Sequence, residues 1–155
     1  MASPALEYAD DTIDVVGVPG VTAGLAAASL LGAPLGHDHV YLSLSDLHTP
    51  WEVIERRVLA AAEGDLVVLF YNPRSRARDW QLGAALAVLA KHRPPRTPVG
   101  LVRNASRDDE QVRLDRLDTF DPATVDMYSL VVVGNSRTTI VAGRMVTPRG
   151  YRWLS

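Results

Sequence analysis

The 155-residue sequence contains no cysteine, which excludes disulfides, thiolate metal sites and a cysteine nucleophile. Lysine is nearly absent as well: Lys91 stands alone against 15 arginines. A GC-rich coding bias accounts for that asymmetry. So does a need for guanidinium forks, which suit planar carboxylates and phosphates. No basic excess goes with it, since the formal net charge is −2 and the isoelectric point about 6.0. Nucleic acid is therefore not an expected partner. The opening stretch from Met1 to Asp11 is acidic and lacks the basic and apolar regions of a signal peptide. The longest weakly polar run, Val21 to Gly36, is interrupted by Pro34 and is too short to span a bilayer. A cytoplasmic protein without membrane contact is expected. Neither a GxGxxG loop nor a Walker loop occurs, and no nucleophile elbow or Ser-His-Asp order is visible. His37 and His39 would share one face of a strand, but together with His48 they show no recognisable ligand spacing, so no metal is expected.

What is present is ordinary globular material, 47% hydrophobic and 22% charged, long enough to bury a core as one unit. Ile13 to Val18 reads as a short β-branched strand ending at Pro19-Gly20. Val21 to Leu31 reads as a helix of small residues, stopped by Gly32 and Pro34. Val40 to Leu44 alternates as a strand does. Thr49, Pro50 and Glu52 form a capping box with proline at the first helical position, opening a helix that runs to about Gly64. Leu66 to Phe70 is a continuous apolar run, as in a strand buried on both faces. A helix from Asp79 to His92, a strand from Pro98 to Val102 and an edge strand from Gln111 to Leu117 follow. Asp121-Pro122 opens a turn or short helix, Ser129 to Val133 is a second buried strand, and Thr139 to Val146 reads as the last strand. Strands alternating with helices give an α/β fold: a single mixed β-sheet flanked by helices.

Four strand ends carry turn-forming or polar residues: Pro19-Gly-Val-Thr22, Tyr71-Asn-Pro73, Arg103-Asn-Ala105 and Gly134-Asn-Ser136. Turns alone account for any one of them. Four at corresponding places point to a shared cleft, because open α/β folds collect ligands beyond the carboxyl ends of their strands. Thr22 can cap the helix that starts there, leaving N–H groups for a ligand carboxylate. Arg74, Arg76 and Arg78 occupy alternate positions of the loop after Phe70; extended, they would share one face and could hold a polyanion. Ser45 and Asp46 are further candidates for substrate contact, or simply the end of an alternating strand.

Taken together, Val18-Pro-Gly-Val-Thr-Ala23, Ser43-Leu-Ser-Asp-Leu47, Thr49-Pro-Trp-Glu52, Leu69-Phe-Tyr-Asn-Pro-Arg-Ser75, Val102-Arg-Asn-Ala105 and Val132-Val-Gly-Asn-Ser136 resemble the tetrapyrrole methylases. Within that family they are most similar to the precorrin-3B C17-methyltransferases, over Met1 to about Tyr151. The Val18 segment is shared across the wider family, whereas the Tyr71 and Gly134 segments are more particular to the C17 enzymes. The resemblance implies two α/β domains with S-adenosylmethionine bent in the cleft between them. It places Thr22 and Ala23 at the methionine part and Tyr71, Asn72, Asn104 and Ala105 along the adenosine side, with the strand end at Gly134 closing the pocket. It implies C-methylation of C17 of precorrin-3B, with ring contraction, in cobalamin biosynthesis. Precorrins carry many carboxylates, for which Arg74, Arg76 and Arg78 are the candidate clamp.

The departure from the family pattern is as informative. The Gly-rich Gly-x-Gly-Pro-Gly-Asp loop and the Gly-Asp-Pro segment of such enzymes do not occur here. Residues 1–18 are expected to be the last helix and strand of an otherwise missing amino-terminal domain, and residues 19–155 the carboxy-terminal methylase domain. A homodimer and a separate amino-terminal half are the expected protein partners. Two alternatives stay open: a truncated, non-catalytic domain that folds and associates, or a methylase for another precorrin position.

Overall fold

The computed structural model describes residues 7–9 and 12–150. Helix α1 (Ala23–Leu31) leads through a two-residue strand β1 (Gly32–Ala33) to β2 (His39–Ser43). Helix α2 (Trp51–Glu63), strand β3 (Val67–Tyr71), helix α3 (Gln81–Ala90) and strand β4 (Pro98–Arg103) alternate after it. Then come β5 (Gln111–Arg116), a 3-10 turn (Pro122–Thr124), β6 (Ser129–Val133), β7 (Thr139–Val141) and β8 (Arg144–Val146).

The α/β class is as expected, but the described strands form two sheets rather than one. Five strands lie in the order β2-β3-β6-β4-β5, and β1-β8-β7 form a separate sheet of three. The expected last strand, Thr139 to Val146, is a hairpin. Ala142 and Gly143 sit at φ 48° and 74°, the pair of positive values that a two-residue type I′ turn demands. Ile13 to Val18 forms no strand either; no described strand pairs with it, and Ile13, Val16 and Val18 are exposed. A strand without a neighbour has no ladder to hold it. The expected remnant helix falls mostly on residues outside the described ones.

Strand β3 explains the central packing. Its alternate residues Val67 and Leu69 face α1, joining Ala27, Leu31, Val102, Val132 and Met145. Val68 and Phe70 face α2 and α3, joining Ile54, Val58, Leu82, Leu89, Leu101 and Val131. A strand covered on both faces has no polar side, hence the unbroken apolar run. Gly100 on β4 permits the close approach of α1, since a Cβ there would meet Leu31 at 2.6 Å. Helix α2 corrects one local expectation. Pro50, not Thr49, stands at its N-cap, with no side-chain capping bond, and the Pro50 carbonyl accepts from the Val53 and Ile54 N–H groups at 3.0 and 3.3 Å.

Strand directions place the site. β2 and β3 are parallel, and β6 runs antiparallel to both β3 and β4. The carboxyl ends of β2, β3 and β4 therefore share one edge with the start of β6. The registers agree: Ser43 lies opposite Tyr71, and Arg103 lies opposite Ser129.

Candidate functional site

At that edge the chain turns sharply after each strand. Asn72 follows β3 at φ 49° and Asn104 follows β4 at φ 50°, left-handed conformations that asparagine tolerates better than most residues. The Asn72 amide donates weakly to Ser43 Oγ at 3.4 Å. Asn104 donates its backbone N–H to the Tyr128 carbonyl at 3.0 Å and its amide to Asp109 at 2.7 Å. Helix α1 begins beside them. Thr22 Oγ1 accepts from the Leu25 N–H at 3.2 Å and the Thr22 carbonyl accepts from Ala26 at 3.1 Å. Ala23 and Gly24 are thus left as first-turn N–H groups without intrahelical partners.

Two adjoining clefts run along this edge. One, of about 790 Å³, is lined by Ala23, Tyr71, Asn72, Asn104, Ala105 and Tyr128. The other, of about 670 Å³ and mostly apolar, is lined by Thr22, Gly24, Tyr41, Leu69 and Leu130. They share Val21, Ala23, Tyr71 and Leu130, so they form one trough. Gly24 lets Tyr41 lie across its floor, because a Cβ there would come within 2.2 Å of the ring. Thr22, Ala23, Tyr71, Asn72, Asn104 and Ala105 are thereby brought together.

Gly134 is not with them. Because β6 is antiparallel, its carboxyl end lies at the opposite edge, where the Gly134 N–H donates to the Pro98 carbonyl at 2.9 Å. Asn135 and Ser136 close that edge: the Asn135 amide donates to the Asp65 carbonyl at 3.1 Å, and Ser136 donates its N–H and hydroxyl to the Asp65 carboxylate at 2.9 and 2.6 Å. Asp65 also pairs with the buried Arg93, which donates to the Leu66 carbonyl at 2.7 Å. Burial pushes the Arg93 guanidinium below its usual value, with Asp65 pulling the other way.

The three loop arginines part company. Ser75 and Arg78 exchange backbone hydrogen bonds at 2.9 and 3.3 Å, so the loop is a tight turn and alternate positions do not share a face. Arg74 and Arg76 line a third cavity of about 580 Å³, which meets the main cleft at Met127 and Tyr128, and Arg74 donates to the Pro122 carbonyl at 3.1 Å. Arg78 instead fastens three loops. It donates to the carbonyls of Leu44 at 3.3 Å and Asn72 at 3.2 Å, and reaches Met127 Sδ at 3.6 Å. Asp46 accepts from the Gln81 amide at 2.9 Å, while Ser45 lines a smaller neighbouring pocket.

Sequence reading missed the wall formed by Met127, Tyr128 and Leu130, because it took the end of β6, not its start, as the cleft edge. It also missed the group that braces this wall. Arg103 donates to Asp126 at 2.7 Å and to Asp109 at 3.0 Å, and its guanidinium lies 5.6 Å from the centre of the Tyr128 ring. These bonds raise the Arg103 value, Asp126 most. Asp109 is held below the usual carboxylate range by Arg103 and then Asn104. For Asp126 burial opposes ionisation, but the bonds from Arg103 and Ser129 prevail and hold it low as well. Among the described residues, no cluster of His, Asp or Glu is arranged to hold a metal ion, and no helix is long and apolar enough to cross a membrane.

Residues 3–121 match the family of tetrapyrrole (corrin/porphyrin) methylases. A probable cobalt-factor III C(17)-methyltransferase of Salmonella typhimurium is 53% identical over 139 residues, 90% of this chain and 58% of that protein. A precorrin-3B C(17)-methyltransferase of a Sinorhizobium species is 44% identical over 93% of this chain and 59% of its own length. The crystal structure of the methyltransferase CobJ superposes with a TM-score of 0.85 at 35% identity, covering 95% of this chain and 61% of that one. The chain thus spans about three fifths of the length of each. The family match over residues 3–121 and relatives of this identity show that the chain belongs to the tetrapyrrole methylase family.

Proposed function

We propose that this chain forms part of an S-adenosylmethionine-dependent methyltransferase acting on C17 of a cobalamin-pathway tetrapyrrole, precorrin-3B or its cobalt-bearing counterpart. The observation that carries this is the meeting of Thr22–Ala23, Tyr71–Asn72 and Asn104–Ala105 along one trough. The relatives named for C17 methylation supply the substrate class.

The trough suits the donor molecule chemically. The free N–H groups of Ala23 and Gly24 offer a seat for a carboxylate, the apolar Val21, Leu69 and Leu130 a surface for thioether and adenine, and Asn72 and Asn104 polar edges for the ribose and base. When bound, S-adenosylmethionine supplies an electrophilic methyl group on a sulfonium sulfur. The residues here align, desolvate and hold; no side chain need act as nucleophile. Arg74 and Arg76 face the cavity beside the trough, where they would meet substrate carboxylates. Cytoplasmic location and pairing of two copies belong to the same reading.

A second reading is favoured by the exposure of Val18 and Val21, which line the trough, and of Ile13 and Val16 shortly before them in the chain: the chain supplies one wall, and a separate amino-terminal half supplies the other. Calorimetric titration of the 155-residue chain with S-adenosylmethionine tests both. Binding by the chain alone supports the first, and binding regained only with the amino-terminal half of a relative supports the second. No heat in either mixture overturns the methyltransferase assignment.

A further inference from the structure

Beyond Asn72, at the carboxyl end of β2, lies a pocket of about 250 Å³ lined by Ser43, Ser45, His48, Thr49, Ile54, Arg57 and Asn72. The side chains of Ser45, His48, Thr49 and Arg57 make no hydrogen bond or ion pair with any described residue. Ser43 Oγ accepts from the Ser45 N–H at 3.2 Å and from the Asn72 amide at 3.4 Å, which leaves its own proton free to donate. Three hydroxyls, an imidazole and a guanidinium thus converge on one space, and no carboxylate lines it. Asp46, next in the chain, is turned away onto Gln81. Ile54, 2% exposed, gives the pocket an apolar side, and Arg57 follows it three residues on, on the same face of α2.

A guanidinium flanked by hydroxyls that can donate, with no carboxylate in the lining to neutralise it, favours an oxyanion as the ligand. Size narrows it. Whole small-molecule sites run from about 300 to 1,000 Å³, so this pocket admits a short arm or a small anion rather than a cofactor. Its position narrows it again, because Asn72 lines both this pocket and the 790 Å³ cleft.

We infer that the pocket takes a carboxylate arm of the tetrapyrrole whose macrocycle lies at the main cleft, with Arg57 as the charged anchor and Thr49, Ser45 and His48 as supporting donors. This rests on the methylase reading above.

The test titrates the chain with uroporphyrin, a stable tetrapyrrole octacarboxylate, and with its octamethyl ester, following fluorescence. Arg57→Gln is expected to weaken uroporphyrin binding about tenfold, Thr49→Val less, and neither to change binding of the ester or of S-adenosylmethionine. Arg96→Gln, an exposed change at the other sheet edge, should leave all three unchanged. Circular dichroism confirms that each variant is folded. Uroporphyrin affinity within twofold of the parent in Arg57→Gln overturns the inference, and so does an equal loss in Arg96→Gln or no uroporphyrin binding by the parent. Sulfate binding that needs Arg57 while uroporphyrin is indifferent shows a free-anion site and overturns it too. Arg57-dependent uroporphyrin binding by a chain that gives no heat with S-adenosylmethionine, alone or with the amino-terminal half of a relative, sinks the methyltransferase assignment but keeps the anion pocket.

Discussion

The two edges of the central sheet carry the same kind of sequence and do opposite things with it. At one edge Asn72 and Asn104 end β3 and β4, turn the backbone left-handed and border an open trough. At the other, Asn135 follows β6, is 4% exposed, and spends its amide on the Asp65 carbonyl. An apolar strand followed by Asn is therefore not a site signature in itself. Direction decides: strands that run with β3 deliver their ends to the cleft, and a strand that runs against it delivers its end to a closed clasp.

The contrast can be broken from the closed side first. Asp65→Ala removes the carboxylate partner of a guanidinium whose side chain is only 1% exposed, along with two bonds from Ser136. A buried charge left alone is costly, so stability should fall by about 3 kcal/mol in denaturant titration. Affinity for S-adenosylmethionine, measured on the folded protein, should stay within twofold. A large loss of affinity would join the two edges and erase the distinction.

On the open side Arg78→Gln removes the cation that ties the loops after β2 and β3 to Met127. The expected cost is about 1–2 kcal/mol of stability, by thermal melting, with a several-fold weakening of S-adenosylmethionine binding as the trough loosens. A substrate clamp would instead leave stability alone.

Arg103→Gln sharpens the comparison through pH. Asp109 and Asp126 titrate below their ordinary range when folded, so the stability they lend is complete above the unfolded value near 4 and is lost as pH falls through the lower folded values. The parent's melting temperature should therefore drop on acidification below about pH 4 more steeply than that of the variant. Parallel curves would show that the brace contributes nothing. Arg76→Gln should do least: Arg76 is exposed and unbonded, so stability should change by under about 0.5 kcal/mol, while uroporphyrin affinity falls modestly.

Much of the fold was legible because it is local. The apolar run at Val67 to Phe70, the small-residue helix after Thr22 and the alternation at Gln111 to Arg116 each satisfy their surroundings within a few residues. The Thr22 cap was readable for the same reason, and with it most of the trough. Strand direction was not, because a buried strand such as Val131 to Val133 is apolar on both faces whichever way it runs. That one ambiguity misplaced Gly134 and hid Tyr128 and Leu130. The hairpin at Ala142-Gly143 was missed because Ala is a poor marker for a left-handed turn. Ile13 to Val18 has a strand's composition but no described neighbour, and pairing is a property of two segments, not one.

The sheet is also a partition between unequal cores. Among the described residues, nineteen buried side chains pack on the α2–α3 side and seven on the α1 side, where the trough opens. The thick side is the anchor of the fold, and the thin side the region whose opening costs least. Amide exchange should therefore rise first in α1 and along the trough wall, so that a bound ligand would register most strongly as protection of Ala23 to Leu31.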